Sequence, residues 1–422
     1  MTTDRATSTR TPGQIAALGA ALVTAALILS AVPSGAAGTA TTARLSGADR
    51  YATSAAISRA SFQAGVSTVF VASGEDFPDA LAVGAAAGAV EAPVLLTKHG
   101  VLPASVEAEI DRLNPGRIVV VGGPAAVSNQ VVLELRDHSR SVTRIAGSDR
   151  YETAAKISAA YFDIALDNAF VASGADFPDA VSAAAIGAAL HAPMLLTAPN
   201  RLPDTTADEL ERIDARRIMI LGGSAAIDEA TAEDVEEFIF AQVLRVAGAD
   251  RYETSAQLSS LAYQHRTADT VYLASGSGFA DAVAGAPVAG MNDSPILLVD
   301  GDRPTQAVCN EVSRLEARHV VALGGTGAVS NEVLRYVAEK CAAQGSAVQP
   351  GTDPVTSPSP TPGVPVPGGD TPPDQDITCS SFQTQSQAQA FHDYWLGKGF
   401  SDYYDLDDDG DGVACESLIV YG

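Results

Sequence analysis

One short stretch is written three times, and it limits the possible folds more than any other feature. It reads Gly47-Ala48-Asp49-Arg50-Tyr51-Ala52-Thr53, then Gly147-Ser148-Asp149-Arg150-Tyr151-Glu152-Thr153, then Gly248-Ala249-Asp250-Arg251-Tyr252-Glu253-Thr254. An Arg precedes each copy by three residues, at Arg44, Arg144 and Arg245, so the period is 100 and then 101 residues. The residues downstream of each copy repeat as well. A period this long exceeds that of solenoid repeats and falls in the size range of whole domains. The expectation is three copies of one small domain, each building most of its own core, over residues 44–143, 144–244 and 245–345.

The first copy shows what each is made of. Asp49 stands where a helix N-cap belongs, and Ala52, Ala55, Ala56 and Ile57 come after it at helical spacing to about Ser61. Val69 to Ala72 reads as a buried strand ending at Ser73-Gly74. Pro78 opens a helix of small residues, suited to close approach by its neighbours. A strand from Pro93 to Thr97, a helix from Pro103 to Leu113, a strand from Arg117 to Val121 and a helix from Asn129 to Arg136 complete the copy. Continuous apolar strands alternating with helices predict α/β domains whose parallel sheets are covered on both faces.

The flanks differ in kind. Arg5 and Arg10 precede an uncharged apolar run from Ile15 to Ala31, and small residues continue from Pro33 to Ala40. Residues 1–40 therefore read as an export signal, cleaved after Ala36 or Ala40. Residues 346–376 are rich in Pro, Gly, Ser and Thr and read as a semi-extended linker. The remainder, 377–422, is a small separate module. The four cysteines, Cys309, Cys341, Cys379 and Cys415, suit disulfides in an exported chain, and pairing by neighbourhood favours Cys309–Cys341 and Cys379–Cys415. The formal charge of −25 argues against nucleic-acid binding, and no stretch after the leader has the apolar length of a spanning helix.

Several constellations could carry chemistry. Arg50, Arg150 and Arg251 could present a planar fork to an anionic group with the adjacent Tyr stacked beside it, or serve as structural ion pairs between copies. The aspartates of Ser-Gly-x-Asp-Phe-Pro-Asp-Ala (Ser73 to Ala80, Ser173 to Ala180) are better explained as helix-start residues than as a catalytic or metal set, since the third copy has Gly278 in place of Asp76 and Asp176. The Gly122-Gly123, Gly222-Gly223 and Gly324-Gly325 turns lack the Lys and the spacing of a phosphate loop. The six histidines (His99, His138, His191, His265, His319, His392) occupy non-equivalent positions, which leaves neither a zinc ligand pair nor a Ser-His-Asp set. The chain is expected not to be an enzyme.

The sharpest local signal is Asp407-Asp408-Asp409-Gly410-Asp411-Gly412-Val413-Ala414-Cys415-Glu416. Carboxylates at Asp407, Asp409 and Asp411, with Gly in sixth place, match the first half of an EF-hand loop. The Val413 carbonyl would be a further ligand, and Glu416 would replace the missing twelfth-position Glu, where Leu418 stands. Hard oxygen donors favour Ca²⁺.

Taken together, Gly-x-Asp-Arg-Tyr-x-Thr, Ala-Ser-Gly-x-x-Phe-Pro-Asp-Ala, Ala-Pro-x-Leu-Leu-Thr and the strand ending Gly-Gly resemble the cell wall-binding repeat type 2 family over residues 44 to 345. That resemblance implies three Toprim-like α/β repeats about a pseudo-threefold axis, holding an exported protein non-covalently to an anionic wall polysaccharide. It also implies a part in polymer attachment for the triplets matching the family's Ile-Leu-Leu motif: Val94-Leu95-Leu96, Met194-Leu195-Leu196 and Ile296-Leu297-Leu298. Plain core strand is the alternative reading. Residues 377 to 418 are similar to the Excalibur calcium-binding domain. The function implied is a wall-attached, non-catalytic, calcium-binding surface protein; the alternative is a hydrolase or adhesin that uses the repeats as an anchor.

Overall fold

The computed structural model describes residues 39–342 apart from 77, 177, 238–240, 265 and 302. The export signal up to residue 38, the linker and the C-terminal module lie outside the described residues. So do Cys379, Cys415 and the five expected calcium ligands Asp407, Asp409, Asp411, Val413 and Glu416.

The elements run in three near-identical series. The first is β1 (Thr41–Leu45), α1 (Arg50–Ser61), β2 (Thr68–Ser73), α2 (Pro78–Ala89), β3 (Val94–Thr97), α3 (Ala104–Leu113), β4 (Arg117–Val121) and α4 (Asn129–Leu135). The second is β5 (Val142–Ile145), α5 (Arg150–Tyr161), β6 (Asn168–Ser173), α6 (Pro178–Leu190), β7 (Met194–Thr197), α7 (Asp204–Ile213), β8 (Arg217–Leu221) and α8 (Glu229–Glu237). The third is β9 (Gln242–Val246), α9 (Arg251–Ala262), β10 (Thr270–Ser275), α10 (Ala280–Met291), β11 (Ile296–Val299), α11 (Gln306–Arg314), β12 (His319–Leu323) and α12 (Asn331–Tyr336), closed by a π-helical turn, Val337–Cys341. Asp49, Asp149 and Asp250 are the N-caps the sequence predicts, each accepting from backbone N–H groups of the first turn.

Among the described residues the strands form three four-stranded parallel sheets, ordered β3-β2-β4-β5, β7-β6-β8-β9 and β11-β10-β12-β1. The fourth strand of each sheet is not predicted by the sequence reading, and it comes from the neighbouring copy. β5 pairs with β4, β9 with β8, and β1 with β12, some 280 residues away, in register from Thr41 opposite His319 to Leu45 opposite Leu323. Structural units are thus offset from the sequence period, and the N-terminal strand closes a ring by completing the last sheet. Arg44 fastens this seam, donating to the Gly324 carbonyl at 2.8 Å and to Asn331 at 3.0 Å. The seam's outer helix is tied down by the Cys309–Cys341 disulfide, the pairing expected by neighbourhood.

The expectation that each copy builds most of its own core needs correction. One continuous core runs from Tyr51 to Cys341 through all three copies, with a smaller separate cluster in the second. The reason is the three small-residue helices. α2, α6 and α10 pack on one another, with Gly84, Ala184 and Ala286 meeting at one level and Gly88, Ala188 and Gly290 one turn further on. A Cβ at Gly84 would stand 3.0 and 3.1 Å from the Cβ atoms of Ala184 and Ala286. Equivalent residues of three copies meeting at one point place an approximate threefold axis there. Each Asp-Arg-Tyr helix packs on the previous copy's inner helix: α5 on α2, α9 on α6 and α1 on α10.

Candidate functional site

In an open parallel sheet, ligands bind beyond the carboxyl ends of the strands, where successive connections leave in opposite directions. In the order β3-β2-β4-β5 that point lies between β2 and β4, and the segments leaving these strands line a cleft. Its walls are Asp76 and Asp79 after β2, Gly123, Ala125 and Ala126 after β4, and Gly147 to Arg150 with Thr153 from the next copy. The second copy repeats this with Asp176, Asp179 and Ala226. The seam repeats it with Ser277, Gly278 and Asp281 from the third copy and Gly47 to Arg50 with Thr53 from the first. The first of these clefts and the seam cleft therefore lie where two copies meet, while the second is lined from its own copy.

The recurring motifs form these joints. Tyr51 lies over Gly74, where a Cβ would come within 2.7 Å of its ring; Tyr151 relates to Gly174 in the same way. The Gly of Ala-Ser-Gly is thus required by the Tyr of Asp-Arg-Tyr. Arg50 donates to the Gly74 carbonyl at 2.5 Å and Arg251 to that of Gly276 at 2.7 Å, and Arg150 is bonded likewise to Gly174. Across the joint, the Asp79 carboxylate meets the Thr153 hydroxyl and the Arg150 charge, Asp179 meets Thr254 and Arg251, and Asp281 faces Arg50. Gly122, at φ +93°, turns directly against the Asp79 side chain and leaves no room for a Cβ.

The sequence reads these aspartates as helix-start residues only. They do stand in the first turns of α2, α6 and α10, and they also bind the neighbouring copy. Burial raises all three above the ordinary carboxylate range, and the charges of Asp76 and Asp176 add to this at Asp79 and Asp179. The repeated Asp and Thr are visible in the motifs; their pairing is not, because it joins positions some 74 residues apart across two sheets.

Arg50 and Arg150 each reach both a joint and a cleft, so the structural and ligand-facing readings coincide in those side chains, while Arg251 is placed at a joint. The strand triplets do not reach a cleft. Val94-Leu95-Leu96, Met194-Leu195-Leu196 and Ile296-Leu297-Leu298 form the centres of β3, β7 and β11 and are at most 1% exposed. With no accessible side chain they cannot touch a polymer directly, so any part they play in attachment acts through the fold they hold. A second repeated unit is one that the sequence reading misses. Glu109, Glu209 and Glu311 are buried, and Arg112, Arg212 and Arg314 clamp them with two hydrogen bonds each, at 2.6 to 2.9 Å. Each Arg also donates to a carbonyl beyond the preceding long helix (Phe62, Phe162, Tyr263), so the unit is structural.

The model of the cell wall binding domain 2 family matches residues 44–132, 144–232 and 245–334, once per copy. The chain belongs to the cell wall binding domain 2 family. It is 30% identical over 305 residues to the amidase enhancer of Bacillus subtilis, covering 71% of this chain and 41% of that protein. It is 24% identical over 308 residues to the N-acetylmuramoyl-L-alanine amidase LytC of the same organism, covering 73% and 60%. Among solved structures, Cwp6 from Clostridium difficile aligns with a TM-score of 0.68 at 25% identity, over 74% of this chain and 50% of that one. Cwp8 from the same organism aligns at 0.65 and 27%, over 71% and 51%. The chain thus spans roughly half the length of these relatives. Among the described residues no helix is long and apolar enough to cross a membrane.

Proposed function

We propose that this protein is exported and attaches non-covalently to an anionic polysaccharide of the cell wall through the clefts between its three cell wall binding domains. The observation that carries this reading is the recurrence of a cleft at the same place on all three sheets of a closed ring of family domains. Each cleft has the Asp of an inner helix's first turn at the sheet's natural binding position, and the first and the seam clefts add an Arg and a Gly-rich turn. Three such sites on one rigid unit can engage successive units of one polymer, which raises the effective affinity without any strong single contact.

The reading is non-catalytic. The histidines fall at non-equivalent positions and the copies share no nucleophile-base pair. The likeness to the amidase covers 60% of that protein at 24% identity, and the amidase's name carries no chemistry over to this chain. The C-terminal module is read as a calcium site through Asp407, Asp409, Asp411, Glu416 and the Val413 carbonyl. The support is the chemistry of that donor set: alternating carboxylates with a Gly turn suit a hard cation.

The test of attachment is co-sedimentation of the full mature chain with purified walls, before and after extraction of the accessory polymers from peptidoglycan. Sedimentation is expected with intact walls and lost after extraction. Equal binding to extracted peptidoglycan would contradict a polymer ligand.

A further inference from the structure

We propose that the three clefts are not equivalent, and that the seam cleft between the third and first domains is the one that accepts the anionic group of the polymer, a phosphate or a carboxylate. The proposal rests on the attachment reading above and assigns it a specific subsite.

Several differences converge on this cleft. The other two clefts carry a second carboxylate, Asp76 or Asp176, beside Asp79 or Asp179. At the seam that position is Gly278, leaving Asp281 without it. The preceding position, Glu75 and Ala175 in the other copies, is Ser277, whose hydroxyl stands 2.8 Å from that of Ser275 in the same cleft wall. The space is also larger, about 550 Å³ against about 220 Å³ for the cleft between the first and second domains.

The cation is better presented as well. Arg50 is exposed, whereas Arg150 and Arg251 are half-buried. Its guanidinium carbon lies 5.9 Å from the centre of the Phe279 ring across the seam, a stacking that keeps the planar fork ordered while leaving its edge to bind. The fork has five donors, more than the Gly74 carbonyl can use. A second cation belongs to the first copy alone: Lys98 lies 5.6 Å from the ring of Tyr51, the residue after Arg50 in the chain, at a position held by Ala198 and Asp300 in the other copies.

The remaining carboxylates are engaged. Asp49 accepts from the Ala52 N–H at 2.8 Å, Glu75 from the His99 N–H at 2.9 Å, and Asp281 packs against the Gly324 turn. An oxyanion in this cleft therefore meets Asp49 and Asp281, without the second carboxylate that Asp76 or Asp176 places beside the helix-start Asp in the other clefts, and a Ser277 hydroxyl nearby instead. Neutral sugar hydroxyls suit the other two clefts, since carboxylates accept from them.

The test restores the missing charge. Nothing lies within 4 Å of a Cβ placed at Gly278, and its backbone is not left-handed, so Gly278→Asp enters without steric cost. Binding of a glycerol-phosphate oligomer and of an oligogalacturonate to the full mature chain would be measured by calorimetry; the two probes separate a phosphate source from a carboxylate one. One added carboxylate a few ångströms from the bound anion should weaken whichever probe binds by about tenfold. Arg50→Gln should do so as well. Asp208→Asn, at an exposed position of α7 that lines none of the clefts, should stay within about twofold of the wild type, and thermal melting checks that each variant is folded. Gly278→Asp binding within twofold of the wild type overturns the assignment. So does a wild type that sediments with walls yet binds neither probe, a result that leaves attachment itself standing. Failure of the wild type to sediment with walls would strike only the attachment reading.

Discussion

Gly88→Ala sets two physical effects against each other. Gly in a helix interior costs about 1 kcal/mol relative to Ala, so propensity alone predicts that the variant is more stable. At the threefold axis, however, a Cβ on Gly88 overlaps the Ala188 Cβ and comes within 3.0 Å of the Ala188 Cα, which is backbone and cannot swing aside. Overpacking of a close-packed interior costs about 1–3 kcal/mol. Packing should win by up to about 2 kcal/mol, a lowering of Tm by a few degrees for a unit of this size. Gly84→Ala is the internal control: its Cβ would meet the Ala184 and Ala286 Cβ atoms at 3.0 and 3.1 Å, tight but relievable, so it should stay within about 1 kcal/mol of the wild type. The decisive variant is Gly88→Ala with Ala188→Gly, which moves one methyl group from α6 to α2. Ala188→Gly alone should lose about 1 kcal/mol, yet the pair should return close to wild-type stability, a coupling of about 1–3 kcal/mol. Thermal and urea unfolding of the four proteins measure this cycle. A Gly88→Ala variant as stable as the wild type, or a double variant no better than the sum of its parts, would refute the packing of the axis.

The charged groups give two further expected outcomes. Burial alone would raise Glu109, but hydrogen bonds from Arg112, Ser58 and Arg59 bring it below the ordinary glutamate value, so its stabilising contribution is complete above that value and is lost as pH falls through the depressed one. Glu109→Gln should lower Tm at neutral pH with the deficit closing in acid. Asp79 is raised chiefly by burial, so its charge opposes folding as pH rises through its elevated value. Asp79→Asn should show its largest relative gain, or smallest loss, at neutral pH, and the opposite trend would contradict the assignment. For the C-terminal module, the full mature chain should release or absorb heat with calcium at roughly 10⁻⁴ to 10⁻³ M, as weak extracellular sites do. Asp409→Ala should abolish that signal, and identical titrations of the two proteins would reduce the loop to a merely acidic segment.

The local architecture could be read from residue order alone because the forces involved are local. Asp49 caps α1 because an aspartate before a helix satisfies orphan N–H groups, and Pro78 opens α2 because its missing N–H costs nothing there. Val94-Leu95-Leu96 announce a buried strand by hydrophobicity, and the Cys309–Cys341 pair is legible from proximity in the chain. The strands that finish each sheet could not be read in this way. Thr41–Leu45 and Val142–Ile145 are short, half-exposed edge strands, and they become strands only because β12 and β4 offer them unpaired backbone. The ring has the same origin. Gly88 and Gly290 are ordinary helix weakeners in one copy and become necessary when three helices share an axis with room for a single methyl group. The seam cleft is the clearest case. Gly278 in place of Asp76 reads in sequence as decay of a motif. Because β1 closes the ring, that loss faces Arg50 from the other end of the chain and changes the charge of a site neither segment forms alone.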